Sequence, residues 1–342
     1  MNNNILNTDG EYCLRNINLN SLSNKTVLIT GASGIVGTHF LYSLEYAVNS
    51  KKIPIKKIYG IVNRQIPNHL ENLNSKNYFE FLKGDLTSTT FLESLPNVDL
   101  IIHAATYGQP GKFMEKQELT IKLNTTATIF LLENCLKDKG KFLFVSTSEV
   151  YNGLPTPPYD ETQIGTTLTD DSRACYIEAK RCGEAITNIF FKKGVNAASV
   201  RLSLAYGPGT RKDDMRVLNN FIQKALSKNE IDLLDQGTAL RTYCYVSDAV
   251  NMMWNVLING KSNLYNVGGI SSISIYELAK LIGDITNSKI ILPNKNSLSV
   301  SGAPKNVSLD ISKYQNEFGN KEFININEGI TNTINWQKLN LT

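Results

Sequence analysis

The amino-acid sequence predicts a doubly wound parallel α/β sheet followed by a smaller second domain. Three observations predict this fold class. Short apolar runs alternate with segments of helical periodicity, the alternation occurs five times within roughly 150 residues, and the first run ends in a glycine-rich turn. With 342 residues, the chain is long enough to bury a large core and to form one or two domains.

The first unit is a strand, a glycine turn and a helix. Residues 27–29 form a short apolar strand, Gly31, Gly34 and Gly37 follow at three-residue spacing, and residues 38–48 have helical periodicity. Glycines let a backbone approach a pyrophosphate, and free N–H groups at a helix start face its charge. The spacing is a variant of the common dinucleotide-binding pattern. We therefore predict that a pyrophosphate binds the turn residues Gly31, Ser33, Gly34, Ile35, Val36 and Gly37.

The second predicted strand, Lys57–Val62, is followed by Asn63 and Arg64. In a nicotinamide-dinucleotide site, an acidic residue at this place accepts hydrogen bonds from the adenine ribose. Here no carboxylate repels a 2′-phosphate, and the guanidinium of Arg64 has the charge to bind one. The predicted cofactor is therefore NAD(P), with NADP favoured, unless Arg64 is only a solvated surface charge.

Three further strands complete the predicted parallel sheet: Phe79–Lys83, residues 98–103 and residues 141–145. A helix is predicted over residues 121–136, between the last two strands. The strand at 98–103 ends in Ala104 and Ala105, whose small side chains let a cofactor lie against the backbone. The carboxyl ends of parallel strands share one edge of a sheet, and ligands of such folds bind there.

Polar side chains follow the fifth strand in the order Ser146-Thr147-Ser148-Glu149-Val150-Tyr151. A helix is predicted over residues 174–191, with Tyr176 and Lys180 four positions apart and therefore on one face. A cation beside a phenol lowers its pKa, so Lys180 would make Tyr176 a base, while Thr147 holds a substrate hydroxyl. The alternative is a polar turn and a chance Tyr–Lys pair.

Together these motifs resemble the extended short-chain dehydrogenase/reductases that modify nucleotide sugars. The resemblance covers roughly residues 25–285 and rests on Gly31-x-x-Gly34-x-x-Gly37, Gly84-Asp85-Leu86, His103-Ala104-Ala105, Thr147, Tyr176-x-x-x-Lys180, Arg201, Tyr206-Gly207-Pro208-Gly209, Arg241, Tyr245-Val246-Ser247-Asp248 and Tyr265-Asn266-Val267-Gly268-Gly269. It implies a Rossmann-type fold and hydride transfer by Thr147, Tyr176 and Lys180. It also implies Asp85 at the adenine. The cofactor residues it adds are Leu86, Thr106, Asn124 and Lys180.

Within the family, residues 146–151, Arg173-Ala174-Cys175-Tyr176 and residues 241–248 look most like the UDP-glucuronate decarboxylases. That likeness implies oxidation of a nucleotide sugar at C4, with Ser148, Glu149 and Arg241 near its C5 end. The diphosphate is expected near the basic residues Arg211, Arg216 and Arg241. A 4,6-dehydratase is disfavoured, because those enzymes carry an acidic residue where Ser148 stands.

Two departures from the decarboxylase pattern keep other enzymes in consideration. Ser203-Leu204-Ala205 lacks the usual asparagine, and no acidic residue occupies position 63 or 64. A nucleotide-sugar C4 epimerase, 4-reductase or 4-dehydrogenase tolerates both changes. From a different class, a non-catalytic dinucleotide-binding protein is the remaining alternative, although Tyr176 and Lys180 are both present.

Composition narrows the classes of partner and location. The 35 basic and 31 acidic residues give a formal charge of only +4, without a long basic block, so neither nucleic acid nor a membrane is an expected partner. Five scattered cysteines without a C-x-x-C, and an Asn-rich start without a signal-peptide pattern, predict a cytoplasmic protein. With three histidines, none near a cysteine pair, no metal site is expected.

The predicted domain organisation has an N-terminal extension, a dinucleotide-binding domain and a nucleotide-sugar domain. The extension covers residues 1–24. The dinucleotide-binding domain covers 25–204 and about 236–267, and the substrate domain covers 205–235 and 268–342. The family resemblance also implies a homodimer formed through the helices that flank Tyr176.

Overall fold

The computed structural model describes residues 4–294 and 306–341. The strands in chain order are β1 (Thr26–Thr30), β2 (Lys57–Val62), β3 (Phe79–Lys83), β4 (Leu100–His103), β5 (Lys141–Thr147), β6 (Asn196–Leu202), β7 (Ala205–Tyr206), β8 (Glu230–Asp232), β9 (Leu240–Tyr245), β10 (Leu264–Val267), β11 (Ser271–Ser274), β12 (Lys289–Ile291) and β13 (Asn306–Val307). The α-helices are α1 (Asn4–Cys13), α2 (Ile35–Asn49), α3 (Glu71–Asn74), α4 (Thr89–Glu93), α5 (Pro110–Glu115), α6 (Gln117–Asn124), α7 (Thr126–Asp138), α8 (Ala174–Lys192), α9 (Val217–Lys228), α10 (Val246–Asn259), α11 (Ile275–Thr286), α12 (Ser312–Phe318) and α13 (Ile326–Asn340).

The larger sheet has seven strands in the order β10-β6-β5-β4-β1-β2-β3, all parallel. The chain first builds outward from β1 to β3 and then from β4 to β10 on the other side. The strand order therefore reverses between β1 and β4, and an open parallel sheet binds its ligand in the crevice outside such a reversal. The predicted Rossmann-type fold class is confirmed.

Helices cover both faces of this sheet, because strands that are apolar on both sides need two layers over them. On one face, α1, α2 and α10 pack together over a core that includes Phe40, Trp254 and Tyr265. On the other, α4, α7 and α8 pack over a core that includes Phe142 and Phe144. No helix in the described ranges is long and apolar enough to cross a membrane.

The N-terminal segment forms a helix that packs into the first core. Helix α1 contacts α2 and α10, and Leu6 and Cys13 are fully buried. The buried carboxylate of Asp9 lies 3.0 Å from His39 Nε2 in α2 and accepts a 2.9 Å hydrogen bond from the Tyr245 hydroxyl. Residues 1–24 were predicted only as an N-terminal extension. Within that range, α1 packs on α2, and Asp9 binds Tyr245 at the end of β9.

The smaller sheet combines β11, β9 and β13 with β7, and α9, α11 and α13 pack around it. Its position corrects the predicted domain boundary. Residues 236–267 were assigned to the larger domain, but β9 pairs with β11, β13 and β7, so the chain returns to the larger sheet only at Val246, where α10 begins. Helix α12 packs on β10 of the larger sheet, although residues 268–342 were assigned to the substrate domain.

Element bounds differ from expectation at several places, three of which lie next to predicted site residues. The helix predicted over 121–136 is divided into α6 and α7, which meet at Thr125 with φ −121° and ψ −74°. Strand β4 begins at Leu100 and not at residue 98. Strand β5 continues to Thr147, because Ser146 and Thr147 pair with Arg201 and Leu202 of β6. Hydrophobic spacing marks a helix or strand interior but does not show where tertiary pairing ends it.

Candidate active site

The glycine turn between β1 and α2 lies at the strand-order reversal. Gly31 has φ +67°, and a Cβ there would lie 2.8 Å from the carbonyl oxygen of Ala104, which follows β4. A Cβ on Gly37 would lie 2.4 Å from the Gly31 carbonyl oxygen. Both positions therefore require glycine for backbone packing. These contacts bring the ends of β1 and β4 together, as expected for a crevice between them.

Gly34 has a different role, since a Cβ there would have only the Gly31 oxygen nearby, at 3.3 Å. It is the residue before α2 and has no side chain to cap the helix. The first N–H groups of a helix have no acceptor within the helix, so those of Ile35 and Val36 are available to an anion. The turn fits the pyrophosphate of a dinucleotide.

The two residues proposed to select the cofactor lie on the surface after β2. Asn63 and Arg64 are both exposed. Among the described residues, no hydrogen bond or ion pair engages the Arg64 guanidinium, so it is available to a ligand. Asp85, expected at the adenine, is exposed after β3, and its Oδ1 accepts hydrogen bonds of 2.9 Å from the N–H and hydroxyl of Thr87. Leu86 beside it is buried.

The end of β4 is held by a buried hydrogen-bond chain. His103 Nδ1 contacts the Thr30 hydroxyl at 2.7 Å, and that hydroxyl accepts a 3.1 Å bond from Ala105 N–H. The other ring nitrogen contacts the Leu123 carbonyl at 2.9 Å. Burial lowers the pKa of His103 to about 4, so the ring is neutral and structural. This chain fixes Ala104 and Ala105 beside the glycine turn.

Asn124 lies at the end of α6, whereas the single helix predicted over 121–136 would put it in the first turn. Its fully buried side chain donates hydrogen bonds to the Thr106 hydroxyl at 3.1 Å and the Thr120 carbonyl at 2.7 Å. The break between α6 and α7 brings its carbonyl to α8, where a Cβ on Gly183 would lie 2.8 Å from it. Asn124 therefore ties three segments of the predicted cofactor site together.

The end of β5 separates its polar residues onto two sides. Thr147 is the cap of a short 3₁₀ turn, Ser148–Tyr151, and its hydroxyl accepts a hydrogen bond from Glu149 N–H at 3.2 Å. Thr147 also makes a hydrogen bond that lowers the pKa of Tyr176. Ser148 is half-buried on the same turn. The structure thus brings Thr147, Glu149 and Tyr176 together.

Ser146 faces the other way, because successive residues of a strand alternate sides. Its hydroxyl donates a 2.5 Å hydrogen bond to Glu184, which pairs with Arg201 at 2.8 Å. Arg201 in turn donates to the Tyr151 hydroxyl at 2.9 Å. Ser146 therefore belongs to a buried structural network, although it precedes Thr147 and Ser148 in the polar stretch at the end of β5.

Tyr176 is buried at the start of α8, with its ring stacked on Phe113 at 4.6 Å between ring centroids. Burial is the main cause that raises the pKa of Tyr176 to about 12, and the Glu149 carboxylate raises it further. Thr147, Arg216 and Arg173 lower it. The prediction that the neighbouring cation makes this pKa low is thus wrong for the protein without ligands, because desolvation outweighs the cations.

Lys180 lies one turn beyond Tyr176 but does not act on it as predicted. Its fully buried ammonium donates a 2.5 Å hydrogen bond to the Val145 carbonyl and lies 4.7 Å from the centre of the Phe144 ring. Burial lowers the pKa of Lys180 to about 7, so part of the population is neutral at neutral pH. The side chain is held beneath the end of β5.

Of the three arginines expected at the diphosphate, two lie near the cleft. Arg216 pairs with Asp214 at 2.5 Å and influences the charge states of both Tyr176 and Tyr243. Arg241, on β9, donates to the Leu240 carbonyl at 2.7 Å and is half-buried. Arg211 is exposed instead and pairs with Asp213, 3.0 Å away, which also pairs with Lys112 of α5.

Sequence reasoning assigned no role to three residues of this cleft. Arg173 binds Glu149, Phe113 stacks on Tyr176, and Tyr243 lies under the influence of Arg216 and Arg241. Burial raises the pKa of Tyr243 to about 12. Alternation along β9 puts Tyr243 on the same side as Arg241, and that signal was available in the sequence. No feature of the sequence around Phe113 indicated that its ring would stack on Tyr176.

Within the described ranges there is no group of three or more His, Cys, Asp or Glu side chains placed to hold a metal ion. A cavity of about 470 Å³ lies beside the cleft and is lined in part by Pro157, Thr242 and Asp310. It is on the Thr242 side of β9, away from Arg241 and Tyr243. None of the predicted catalytic residues lines this cavity.

Comparison with known proteins gives a consistent result. A sequence model described as the NAD dependent epimerase/dehydratase family matches residues 27–268. The chain is 27% identical to UDP-glucuronic acid decarboxylase 6 of Arabidopsis thaliana over 312 residues, which are 90% of this chain and 87% of the relative. It is 28% identical to UDP-glucuronic acid decarboxylase 1 of Xenopus tropicalis, covering 93% and 73%.

A solved structure with the same fold is UDP-glucuronic acid 4-epimerase from Bacillus cereus, in complex with UDP-glucuronic acid and NAD. The TM-score is 0.76 at 24% identity, and the match covers 92% of this chain and 99% of that one. At this identity the likeness shows the fold alone.

Proposed function

This chain belongs to the NAD dependent epimerase/dehydratase family, and on that premise we propose that it oxidises a nucleotide sugar at C4 and then decarboxylates it, as a UDP-glucuronate decarboxylase does. It is an enzyme of the extended short-chain dehydrogenase/reductase type, as the motifs predicted. The observation that carries the reaction is the meeting of Thr147, Glu149 and Tyr176 at the carboxyl edge of β5.

Each residue of this group has a task in the proposed reaction. Thr147 orients the C4 hydroxyl, and Tyr176 accepts its proton, for which the pKa of Tyr176, raised to about 12 by burial, has to fall when cofactor and substrate bind. The nicotinamide ring, when bound, supplies the hydride acceptor. Lys180, whose ammonium binds the Val145 carbonyl of β5, supports the part of the site that would hold the cofactor. Ser148 and Glu149 contact the C5 end of the sugar, where loss of the carboxylate follows formation of the neighbouring ketone.

The arginines supply the expected charge for a nucleotide diphosphate. Arg216 and Arg241 both act on the charge state of Tyr243, and a guanidinium can bind a phosphate through two hydrogen bonds. Arg216 holds Asp214 through Nε and one terminal nitrogen, so only its other terminal nitrogen lies outside this pair. Arg211 reaches the diphosphate only if it leaves Asp213. The partner is thus a nucleoside-diphosphate sugar, with neither nucleic acid nor a membrane involved.

The cofactor is proposed to be NADP in preference to NAD. Support comes from the exposed guanidinium of Arg64 and from the absence of an acidic residue at position 63 or 64. A charged hydrogen bond to a 2′-phosphate contributes about 1.5–3 kcal/mol. The rest of the NADP molecule is proposed to contact Asp85, Leu86, Thr106 and Asn124.

We further propose a cytoplasmic homodimer. The five cysteines lie within the described ranges and all are free thiols, as is usual in a reducing compartment. Apolar side chains of α7 and α8 are exposed although these helices pack side by side: Ile129, Leu136, Ile189 and Phe191. A second copy of the same face would cover them. Sedimentation of Ile189→Lys against the parent tests this, and a parent monomer would contradict it.

The reaction is tested by incubating the protein with UDP-glucuronate and NAD or NADP. We expect release of carbon dioxide with a pentose nucleotide or a 4-keto pentose nucleotide, and no release by Tyr176→Phe. If no carbon dioxide forms while another nucleotide sugar reduces the cofactor, the enzyme is a C4 dehydrogenase, 4-reductase or epimerase.

A further inference from the structure

The ion pair between Glu149 and Arg173 occupies the junction between the turn after β5 and the start of α8. Arg173 Nε lies 3.1 Å from one carboxylate oxygen and its terminal nitrogen 2.5 Å from the other. The side chains are only 29% and 33% exposed. A half-buried, two-point contact of this kind is stronger and more directional than a surface ion pair.

The Arg173 guanidinium also lies over the Phe113 ring, which in turn stacks on the Tyr176 ring. It lies 5.4 Å from the centre of the Phe113 ring, and the Phe113 and Tyr176 rings are parallel to within 4°. The backbone of Arg173 is fixed as well, because its N–H donates a 2.7 Å bond to the Asp171 carboxylate at the start of α8. From this fixed position, the Arg173 side chain contacts Glu149 directly and is linked to Tyr176 through the Phe113 ring.

We propose that Arg173 is a positioning residue that holds the Glu149 carboxylate in place and compensates its charge beside Tyr176. The proposal rests on the proposed function, in which Tyr176 is the base. Lysine would keep the charge but lose the planar two-point contact, so the geometry of the guanidinium matters as well as its charge.

Removal of Arg173 would change two charges that act on Tyr176. Glu149 raises the pKa of Tyr176, while Arg173 and Arg216 lower it. Arg216 is already bound to Asp214 and Lys112 to Asp213, and Lys180 is turned to Val145, so none of these cations replaces Arg173. Loss of one cation leaves one uncompensated carboxylate, and both effects keep Tyr176 protonated to higher pH.

The test is a double-mutant cycle of Arg173→Gln and Glu149→Gln, measured as single-turnover hydride transfer between pH 6 and 10. We expect Arg173→Gln to displace the rising limb of the profile to higher pH, which at fixed pH costs about tenfold in rate for one pKa unit. In the Glu149→Gln background the same substitution should cost less than about threefold, because its partner is already gone. Arg173→Lys should recover part of the loss.

Lys57→Gln is the matched control, since it breaks a partly exposed ion pair with Glu80 at the opposite edge of the sheet. It should leave the pH profile unchanged. Equal losses from Arg173→Gln in both backgrounds would show that Arg173 contacts substrate directly, and an unmoved profile would show a merely structural role. Either result overturns the proposal.

Melting temperatures of the same four proteins separate this proposal from the assigned reaction. If Arg173 and Glu149 are coupled, the double variant melts higher than the sum of the two single losses predicts, whatever sugar the enzyme accepts. Additive melting temperatures contradict the pairing itself. Coupled melting with hydride transfer from a different nucleotide sugar would leave the Arg173 proposal standing and overturn only the UDP-glucuronate assignment.

Discussion

The glycine turn and the Tyr176 cleft are built on different physical grounds. In the turn, backbone atoms exclude side chains, as the 2.4 Å separation between a Cβ on Gly37 and the Gly31 oxygen shows. In the cleft, buried charges oppose one another, and Tyr176 is protonated or not according to their balance. Steric sites follow from local sequence, whereas electrostatic sites depend on residues that only the fold brings together.

The largest expected effect tests the electrostatic side of this comparison. Tyr176→Phe removes the proton acceptor but keeps the ring on Phe113, so folding and cofactor binding should persist while turnover falls about 10²–10⁴-fold. Single-turnover hydride transfer, with each variant saturated in cofactor, measures the loss. A rate within about threefold of the parent would mean that Tyr176 only packs.

A second prediction tests the steric side. Gly37→Ala places a methyl group against the Gly31 carbonyl, so the turn must shift, at a cost of about 3 kcal/mol in stability or cofactor affinity. Gly111→Ala is the control, because a Cβ at this position in α5 meets no atom within 4 Å. Cofactor titration of both variants should separate them, and equal affinities would contradict a sterically determined turn.

Cofactor choice gives an effect of intermediate size. Arg64→Ala should weaken NADP binding by about 1.5–3 kcal/mol and leave NAD binding nearly unchanged, since only NADP has a phosphate to lose its partner. Calorimetric titration with both dinucleotides measures the difference. If the ratio of the two affinities stays the same, Arg64 is a surface charge and the proposed preference for NADP is wrong.

The smallest expected effect concerns the pH dependence of stability. The pKa of Lys180 is lowered by burial from its ordinary 10.5 to about 7, so between those values the unfolded chain binds more protons at this position. Stability from this group therefore rises with pH through that window and is least below pH 7. The parent should gain a few degrees in melting temperature relative to Lys180→Met between pH 7 and 9. If the difference in melting temperature between the two proteins does not change with pH, the Lys180 ammonium is solvated and not buried.

Sequence alone predicted the first five strands of the larger sheet, because buried parallel strands are continuous apolar runs with turn residues at their ends. The remaining two strands, β6 and β10, were not predicted. The glycine turn was also predicted from the sequence, because the residues that require glycine for steric reasons lie within the seven positions from Gly31 to Gly37. Other features depended on distant partners. The Ser146 side chain faces away from the crevice because β5 pairs with β6 for two residues more than predicted. Strand β9 belongs to the smaller sheet because it pairs with β7, β11 and β13.

The charges of the cleft were the least predictable part. Tyr176 and Lys180 stand four residues apart, and that spacing suggested a direct effect of one on the other. In the structure the two side chains have different partners. The Lys180 ammonium donates a hydrogen bond to the Val145 carbonyl, while the charges of Glu149, Arg173 and Arg216 shift the pKa of Tyr176. Desolvation belongs to the packed fold, and no spacing in the sequence measures it.

The anchoring of helix α1 has a consequence for how the chain is made. Asp9 and its hydrogen-bond partner Tyr245 are 236 positions apart, and α1 also packs on α10. During synthesis at about 5–20 residues per second, α1 therefore leaves the ribosome many seconds before Tyr245 and α10 are made. Until then its apolar side, with Leu6 and Cys13, has no complete cover.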